Sequence, residues 1–234
     1  MGAHDLLYEG KAKKVWTTES PDEVEMEFKD DATANNGLKR GQIGDKGRVN
    51  ARVTAILFEM LEQQGVRTHF IRQLDERRLL VRRLPMIPLE VIARNWVAGS
   101  LHARTGLPEG TPLHTPIIEI YYKSDALGDP LFNDEHVALM QAATPTELQR
   151  LKDAARTINH HLSSFFLARK LILVDFKLEF GRLGSEVCLG DEITPDTCRL
   201  WDADTHEKLD KDRFRRDLGG VEDAYQEVLR RVAL

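Results

Sequence analysis

The chain has 234 residues, of which 41% are hydrophobic and 30% are charged, as in ordinary soluble globular proteins. Its net charge of −5 disfavours a nucleic-acid-binding protein, which would normally present a basic surface. No apolar segment approaches the roughly 20 residues that span a bilayer, and the N-terminal residues lack the pattern of a secretory signal. Two cysteines, Cys188 and Cys198, suit a reducing compartment better than a disulfide framework. We therefore expect a cytoplasmic protein that contacts neither nucleic acid nor membrane.

The first part of the chain is predicted to be rich in strands. The segments LLYEG and KKVWTT flank a short turn, and VEMEF alternates as a half-buried strand does. The following DDATANNG reads as a loop, because it consists largely of turn-forming residues. Residues 45–64 carry an apolar stripe at helical spacing, and Gly65 would end that helix. THFIRQL and RRLLVRRL predict two further strands.

A domain junction is predicted near residue 85. Pro85 and Pro88 punctuate the segment LPMIP, and proline cannot continue the pairing of a central strand. We therefore expect a strand-rich domain at residues 1–85 and a second domain at residues 86–234.

The second predicted domain mixes strands and helices. LEVIARNWV and IIEIYYK favour strands, and LILVDFKLEF with EVCLGDEI favours a strand pair. Residues 146–169 and 221–232 carry the apolar stripes of amphipathic helices. Because these elements do not alternate regularly, the predicted fold class is α+β.

The segment Leu171 to Phe180 carries three ionisable side chains on one predicted face. In a strand, Asp175, Lys177 and Glu179 point to one side at steps of about 6.5–7 Å, and the other side is wholly apolar. An apolar back anchors such a strand in a core and gives the rigid support that a site needs. The alternative is the solvated face of an antiparallel sheet, and this segment alone leaves both interpretations open.

Asp191 at the end of the next predicted strand favours a site. The simplest hairpin register places Asp191 on the face of Asp175, together with Val187 and Leu189. Carboxylates beside apolar residues fit a cleft better than an exposed surface. Glu179 and Asp191 would then suit Mg²⁺, which usually binds one or two carboxylates plus substrate phosphates.

Gly10-Lys11-Ala12-Lys13 lies at a predicted turn between two strands. A turn of small residues lets backbone N–H groups approach a polyphosphate, and lysines add positive charge. Taken alone, this segment is more simply interpreted as a basic surface hairpin.

A second anion site is predicted around Arg94 and Gly99-Ser100, which precede a short predicted helix. A hydroxyl, free N–H groups and a guanidinium fork bind phosphate readily. Arg199 is a further candidate, although an ion pair with Asp196 or Asp202 would also explain it.

These segments together resemble the SAICAR synthetase (phosphoribosylaminoimidazole-succinocarboxamide synthase) family over nearly the whole chain. The most specific segments are IPLEVIARNWVAGS at 87–100 and LVDFKLEFG at 173–181. GKAKKV near the start, YYKSDALGDP at 121–130 and GDEITPDTCRLWD at 190–202 also match. The resemblance implies two α+β domains related to ATP-grasp enzymes, with the nucleotide in the cleft between them.

The resemblance also implies a reaction. The expected enzyme is an ATP- and Mg²⁺-dependent ligase that joins L-aspartate to the carboxylate of carboxyaminoimidazole ribonucleotide, through an acyl phosphate. Its products would be SAICAR, ADP and phosphate, and a homodimer is expected. The alternatives are a small-molecule kinase, another ATP-grasp-type carboxylate–amine ligase, or a non-catalytic nucleotide-binding module. The sequence lacks the His-Arg-Asp loop and full glycine-rich loop of a protein kinase.

Position by position, the resemblance assigns the site residues to groups. The residues expected to bind ATP are Lys11, Ala12, Lys13, Val15, Arg82 and Met86. Those expected to bind the ribonucleotide are Arg94, Ser100, Arg199, Asp175 and Lys177. Those expected to carry catalysis are Lys177, Asp175, Glu179 and Asp191, with Glu179 and Asp191 as metal ligands, and an active-site loop would hold Lys123 and Asp129. Arg82 and Asn36 stand where some relatives carry a lysine and an acid, so their roles are left open.

Overall fold

A computed structural model describes residues 4–34 and 38–234. Its strands are β1 (Leu6–Glu9), β2 (Lys13–Thr17), β3 (Glu23–Phe28), β4 (Asp31–Ala34), β5 (Lys39–Gln42), β6 (Phe70–Gln73), β7 (Arg78–Arg82), β8 (Met86–Trp96), β9 (Pro112–Tyr122), β10 (Leu131–Phe132), β11 (Leu171–Leu183), β12 (Glu186–Gly190) and β13 (Cys198–Asp202). Its helices are α1 (Lys46–Gln63), α2 (Gly99–Thr105), α3 (Asp134–Leu139), α4 (Pro145–Leu167), α5 (Asp212–Arg215) and α6 (Val221–Val232). None of these helices is long and apolar enough to cross a membrane.

The first sheet has five antiparallel strands in the order β1-β2-β3-β7-β6. Val24, Met26 and Phe28 of β3 are buried, and the residues between them are half-buried, as alternation along a strand requires. Helix α1 packs against β3, β6 and β7 through its apolar stripe. Gly65 adopts the left-handed conformation that commonly ends a helix, with φ of 82°. The predicted strands and helix of this region are therefore confirmed.

The predicted loop DDATANNG is wrong for its first half. Asp31–Ala34 forms β4, which pairs with β5 in a separate two-stranded sheet. Ala32 and Ala34 are buried while their neighbours are half-buried, so the period of two is present. The sequence does not show this alternation clearly, because the inward residues are only alanines, which are weakly apolar, and most of the others are turn formers. Residues 35–37 of this segment, including Asn36, lie outside the described residues.

The second sheet has six strands in the order β10-β9-β8-β11-β12, with β13 also paired to β11. Strand β11 is central and runs three residues beyond the predicted segment. Its apolar residues Phe176, Leu178 and Phe180 lie in the main core, and α4 packs against β11 and β8. Thr144 caps α4 in a capping box with Glu147, which fixes where the helix begins.

The predicted register between β11 and β12 is wrong. Leu189 pairs with Phe180 and Val187 pairs with Arg182, so neither residue shares the face of Asp175. Strand β11 continues to Leu183, and only two residues form the hairpin turn. A shift by an odd number of residues moves every side chain to the other face of a strand.

The chain passes from the first sheet to the second over residues 83–85, between β7 and β8. The two sheets also meet at their edges, where Thr68 and Leu189 form a parallel bridge. The Leu189 amide donates to Arg67 O at 3.0 Å, and the His69 amide donates to Leu189 O at 2.8 Å. One continuous core spans both sheets. The division into domains near residue 85 therefore stays a prediction.

Replacing Leu162 of α4 tests the packing of this helix on the sheet. Leu162 is fully buried, so Leu162→Ala should lower the free energy of unfolding by about 2–5 kcal/mol. Leu167, at the end of the same helix, is 62% exposed, and Leu167→Ala should change stability little. Urea denaturation measures both, and equal effects would contradict the observed packing.

Candidate active site

A cavity of about 1210 Å³ is lined on one side by the first sheet and on the other by Lys177 and Glu179 of β11. Most of the residues predicted from the family resemblance line it. These are Lys11, Ala12, Lys13, Val15, Arg82, Met86, Lys123, Asp129, Lys177, Glu179 and Asp191. The four that do not line it are Arg94, Ser100, Asp175 and Arg199, which form a neighbouring cluster described below.

One end of the cavity is apolar. Val15 pairs with Met26, and Val24 pairs with Val81, so these four side chains share one face of the first sheet. They line the cavity together with Met86, the first residue of β8. An apolar wall of this kind suits a flat aromatic group.

Lys13 joins the first sheet to the end of β12. Its ammonium contacts the carboxylate of Asp191 and lies 2.8 Å from Glu192 Oε1. Burial lowers the pKa of Lys13, but the charges of Asp191 and Glu192 outweigh it and raise the pKa above its usual value. For Asp191, burial acts to raise the pKa, but the positive charges of Lys13 and Lys177 outweigh it and hold the pKa well below its usual range. Both partners are therefore charged at neutral pH.

Asp191 reaches the cavity by a different route from the predicted one. It follows the last residue of β12 and has φ of 56°, a left-handed conformation that turns the chain out of the strand. Asp191 and Glu179 both line the cavity, although the strand face predicted for Asp191 was wrong.

Lys177 lies between two glutamates. Its Nζ donates to Glu179 Oε1 at 2.6 Å and to Glu90 Oε1 at 2.9 Å, because Glu179 and Glu90 are paired neighbours on β11 and β8. Lys123 contacts the other oxygen of Glu179. Burial lowers the pKa of Lys177, but Glu179 and Glu90 raise it well above its usual value. Lys177 therefore carries a positive charge at neutral pH.

The mouth of the cavity is framed by two loops. Lys11, in the turn between β1 and β2, lies 2.7 Å from Asp125 in the loop after β9. Asp129 Oδ1 accepts from the Ser124 amide at 2.8 Å and so shapes that loop. Arg82 donates to Phe70 O of β6 at 3.0 Å and to Thr68 O, just before that strand, at 3.1 Å.

A second cluster is built around Asp175, which is 3% exposed. Arg94 Nη1 and Arg199 Nη1 each donate to Asp175 Oδ2 at 2.8 Å, because β8 and β13 flank β11 at this position. Arg94 also donates to Glu119 Oε2 and to Ser100 Oγ, both at 2.8 Å. The solvated-face alternative for this strand is therefore wrong.

Arg199 does not pair with Asp196 or Asp202, so that alternative is also wrong. Its Nε donates to Asp212 Oδ2 at 2.9 Å, and its guanidinium packs against Gly99. A Cβ added at Gly99 would lie 2.4 Å from Arg199 Nη2, and Gly99 has φ of 51°. Only glycine fits both the backbone and the close approach.

Sequence reasoning missed several residues that complete these clusters. Glu90 and Glu119 balance Lys177 and Arg94 from neighbouring strands, and their positions depend on a register that the sequence does not reveal. Glu192, the residue after Asp191, was not predicted to belong to the site. Asp212, which is buried at the start of α5, and His69, which lines the cavity, carried no sequence signal.

The carboxylates of Glu179 and Asp191 would suit Mg²⁺ only together with the phosphate oxygens of a bound substrate. Within residues 4–34 and 38–234, no three His, Cys, Asp or Glu side chains are grouped to hold a metal ion. Glu179 and Asp191 would supply two carboxylates, which is the usual protein share for Mg²⁺ bound to substrate phosphates.

The SAICAR synthetase family model matches residues 6–232. The chain belongs to the SAICAR synthetase family. Within it, the phosphoribosylaminoimidazole-succinocarboxamide synthase of Chlorobium limicola is 59% identical over 227 residues, which cover 97% of this chain and 96% of that protein. The synthase of Clostridium acetobutylicum is 53% identical over 232 residues, which cover 99% of each chain.

Solved structures of the family confirm the predicted mixed α and β fold. The crystal structure of the synthase from Ehrlichia chaffeensis superposes with a TM-score of 0.96 at 43% identity and covers 98% of both chains. A SAICAR synthetase in complex with ADP gives a TM-score of 0.94 at 46% identity and covers 96% of both chains.

Replacing Gly99 tests the close approach of Arg199. Gly99→Ala should displace the guanidinium and lower the free energy of unfolding by about 1–3 kcal/mol through backbone strain and the lost pairing. Gly65→Ala is the matched control, because Gly65 also has positive φ but nothing lies within 4 Å of its added Cβ. Denaturant unfolding should show the larger loss at Gly99, and equal losses would contradict the clash.

Proposed function

We propose that the cavity is the active site of an ATP-dependent ligase of purine biosynthesis, which joins L-aspartate to the carboxylate of carboxyaminoimidazole ribonucleotide. The products are SAICAR, ADP and phosphate. One observation carries the proposal. In a chain of this family, a single cavity has an apolar end and, beside it, a cluster of lysines and carboxylates. The small-molecule kinase alternative is not favoured, because the curated relatives are named as synthases.

The nucleotide base would occupy the apolar end, against Val15 and Met86. The turn Gly10–Lys13 would then lie over the phosphates, with Lys11 and Lys13 neutralising their charge. The related SAICAR synthetase in complex with ADP supports nucleotide binding in this fold. Both lysines already contact carboxylates, so phosphate oxygens would replace those carboxylates as their partners.

Glu179 and Asp191 would hold Mg²⁺. The exchange at Lys13 would free Asp191, and two carboxylates with phosphate oxygens and water are the ligands that Mg²⁺ prefers. When bound, Mg²⁺ would supply neutralisation of the charge on the β- and γ-phosphates.

The ribonucleotide phosphate would lie against Ser100 and Arg199. Arg199 is the more accessible arginine of the cluster, with 18% of its side chain exposed, whereas Arg94 is 2% exposed. The Arg94 guanidinium is already bonded to Glu119, Asp175 and Ser100. Arg94 would therefore act mainly by orienting Ser100 and Asp175, which would contact the ribonucleotide.

The chemistry would run in two steps. The substrate carboxylate is a poor electrophile, so one of its oxygens first takes the γ-phosphoryl group of ATP, and ADP leaves. The neutral amine of L-aspartate then attacks the carbon of this acyl phosphate, phosphate leaves, and the nitrogen loses one proton to phosphate or water as the amide forms. Lys177, held positively charged by its glutamate partners, would offset the negative charge gathered between carboxylate and phosphates. Positioning and charge neutralisation would therefore supply most of the rate acceleration.

Three further properties are proposed on the same basis. Residues 1–85 and 86–234 would act as two domains that enclose the nucleotide. The protein would form a homodimer, as the family resemblance implies. It would reside in the cytoplasm, where Cys188 and Cys198 would stay reduced, and both are free and buried.

A coupled ADP-release assay tests the proposed function. ADP should be released only when ATP, Mg²⁺, the ribonucleotide and L-aspartate are all present, and mass spectrometry should find the succinocarboxamide product. ADP release that needs the ribonucleotide but never L-aspartate, with a phosphorylated product, would identify a kinase instead.

Replacing the proposed metal ligands should remove most of the turnover. Glu179→Gln and Asp191→Asn should each lower kcat on the order of 100-fold or more, because each removes a negative ligand of Mg²⁺. Glu135→Gln, an exposed change in α3, is the control and should keep wild-type kcat. Denaturant unfolding confirms that the variants are folded, and wild-type turnover in either would refute the metal assignment.

Replacing Ser100 tests the ribonucleotide site. Ser100→Ala removes one hydroxyl from the proposed phosphate contact, so KM for the ribonucleotide should rise about 10-fold, as expected for a hydrogen bond to a charged group. KM for ATP should stay within about 2-fold on the same argument. Ser185→Ala in the β11–β12 turn is the control, and equal rises in both KM values would argue against the assignment.

A further inference from the structure

Glu192 gives Lys13 a second carboxylate partner in the cavity. Lys13 Nζ lies 2.8 Å from Glu192 Oε1 and also contacts the carboxylate of Asp191. The Glu192 side chain is 4% exposed, whereas that of Asp191 is 19% exposed. The two carboxylates that hold Lys13 therefore differ in their access to the cavity, and Glu192 is the more deeply buried one.

Both carboxylate oxygens of Glu192 are bonded to the protein. While Oε1 accepts from Lys13, Oε2 accepts from Thr194 Oγ1 at 2.9 Å. The same hydroxyl accepts from the Asp196 amide at 3.1 Å, and Thr194 is 1% exposed. Moving Glu192 away from Lys13 would therefore break a buried network of hydrogen bonds, which is costly in free energy.

The turn that carries Thr194 is anchored to two helices. Lys46 Nζ of α1 donates to Asp196 Oδ2 at 2.7 Å, and the hydroxyl of Tyr225 in α6 donates to Asp196 Oδ1. Lys46 and Tyr225 are fully buried. Glu192 is therefore held from the interior of the protein.

Asp191 is placed differently. It follows the last residue of β12 in a left-handed conformation, and its Oδ1 accepts from Lys13. Its greater exposure lets it turn to a metal ion in the cavity, whereas Glu192 is fixed at both oxygens. Lys13 would then keep one of its two carboxylate partners.

We propose that Glu192 is a positioning residue that keeps Lys13 directed at the nucleotide phosphates after Asp191 has turned to the metal ion. An ammonium has three N–H donors, so Lys13 can stay bonded to Glu192 while it donates to a phosphate oxygen. A lysine that is already ordered loses less conformational entropy when the ligand binds. The assignment rests on the proposed function, since it takes a nucleotide with Mg²⁺ as the occupant of the cavity.

The test is a double-mutant cycle on Lys13 and Glu192. Glu192→Gln keeps the shape of the side chain and removes its charge, and Lys13→Met removes the ammonium. The cycle consists of the wild type, both single variants and the double variant. Calorimetry on the full chain gives the Kd of ADP in the presence of Mg²⁺, without requiring the ligase reaction. Glu186→Gln, an exposed change at the start of β12, is the matched control.

Glu192→Gln should weaken ADP binding about 10-fold, as expected for the loss of a hydrogen bond to a charged group and of the order that it imposes. In the Lys13→Met background the same change should alter the Kd by less than about 2-fold, because two residues that act through one contact are not additive. Glu186→Gln should leave the Kd unchanged.

Equal weakening by Glu192→Gln in both backgrounds would overturn the assignment and show a purely structural role. Unchanged or tighter ADP binding in Glu192→Gln would also overturn it, because it would mean that phosphate displaces Glu192 as well as Asp191. Both outcomes leave the proposed function intact, since the wild type would still bind ADP. No ADP binding by the wild type would overturn the proposed function and this assignment together.

Discussion

Buried charges on β11 must be neutralised by neighbouring strands, and the site is built on this constraint. A carboxylate or ammonium removed from water is strongly destabilising unless it is paired and hydrogen-bonded. Asp175 meets this requirement through Arg94 and Arg199, and Lys177 meets it through Glu179 and Glu90. Each partner comes from a strand hydrogen-bonded to β11 or from β11 itself, so the sheet register determines the electrostatics of the site.

The same balance explains how a charged ligand would enter. Lys11, Lys13 and Lys123 each contact a carboxylate, so none of them is buried with an uncompensated charge. Nucleotide phosphates would offer these lysines new negative partners, while Mg²⁺ would offer Glu179 and Asp191 a positive one. The metal ion would offset part of the phosphate charge, so neither phosphate nor metal would bind as well alone as with the other.

The sequence predicted what periodicity encodes and missed what depends on pairing. The charged face of β11 was predicted from alternation, and α1 and α4 were predicted from their apolar stripes. Glu90 and Glu119 were missed, because strands far apart in sequence bring them beside Lys177 and Arg94. The place of Asp191 was predicted from a wrong register, since its left-handed turn leaves no apolar pattern. Family resemblance supplied the reaction and most site residues, which no local pattern specifies.

The most direct measurement is a crystal structure of the chain with Mg²⁺ and ADP. In that structure Lys13 should contact a phosphate oxygen rather than Asp191, and Asp191 and Glu179 should face the metal ion. The adenine ring should lie against Val15 and Met86. A structure in which the nucleotide lies in the cavity while Lys13 still pairs with Asp191, and the metal ion touches neither carboxylate, would contradict the proposed exchange of partners.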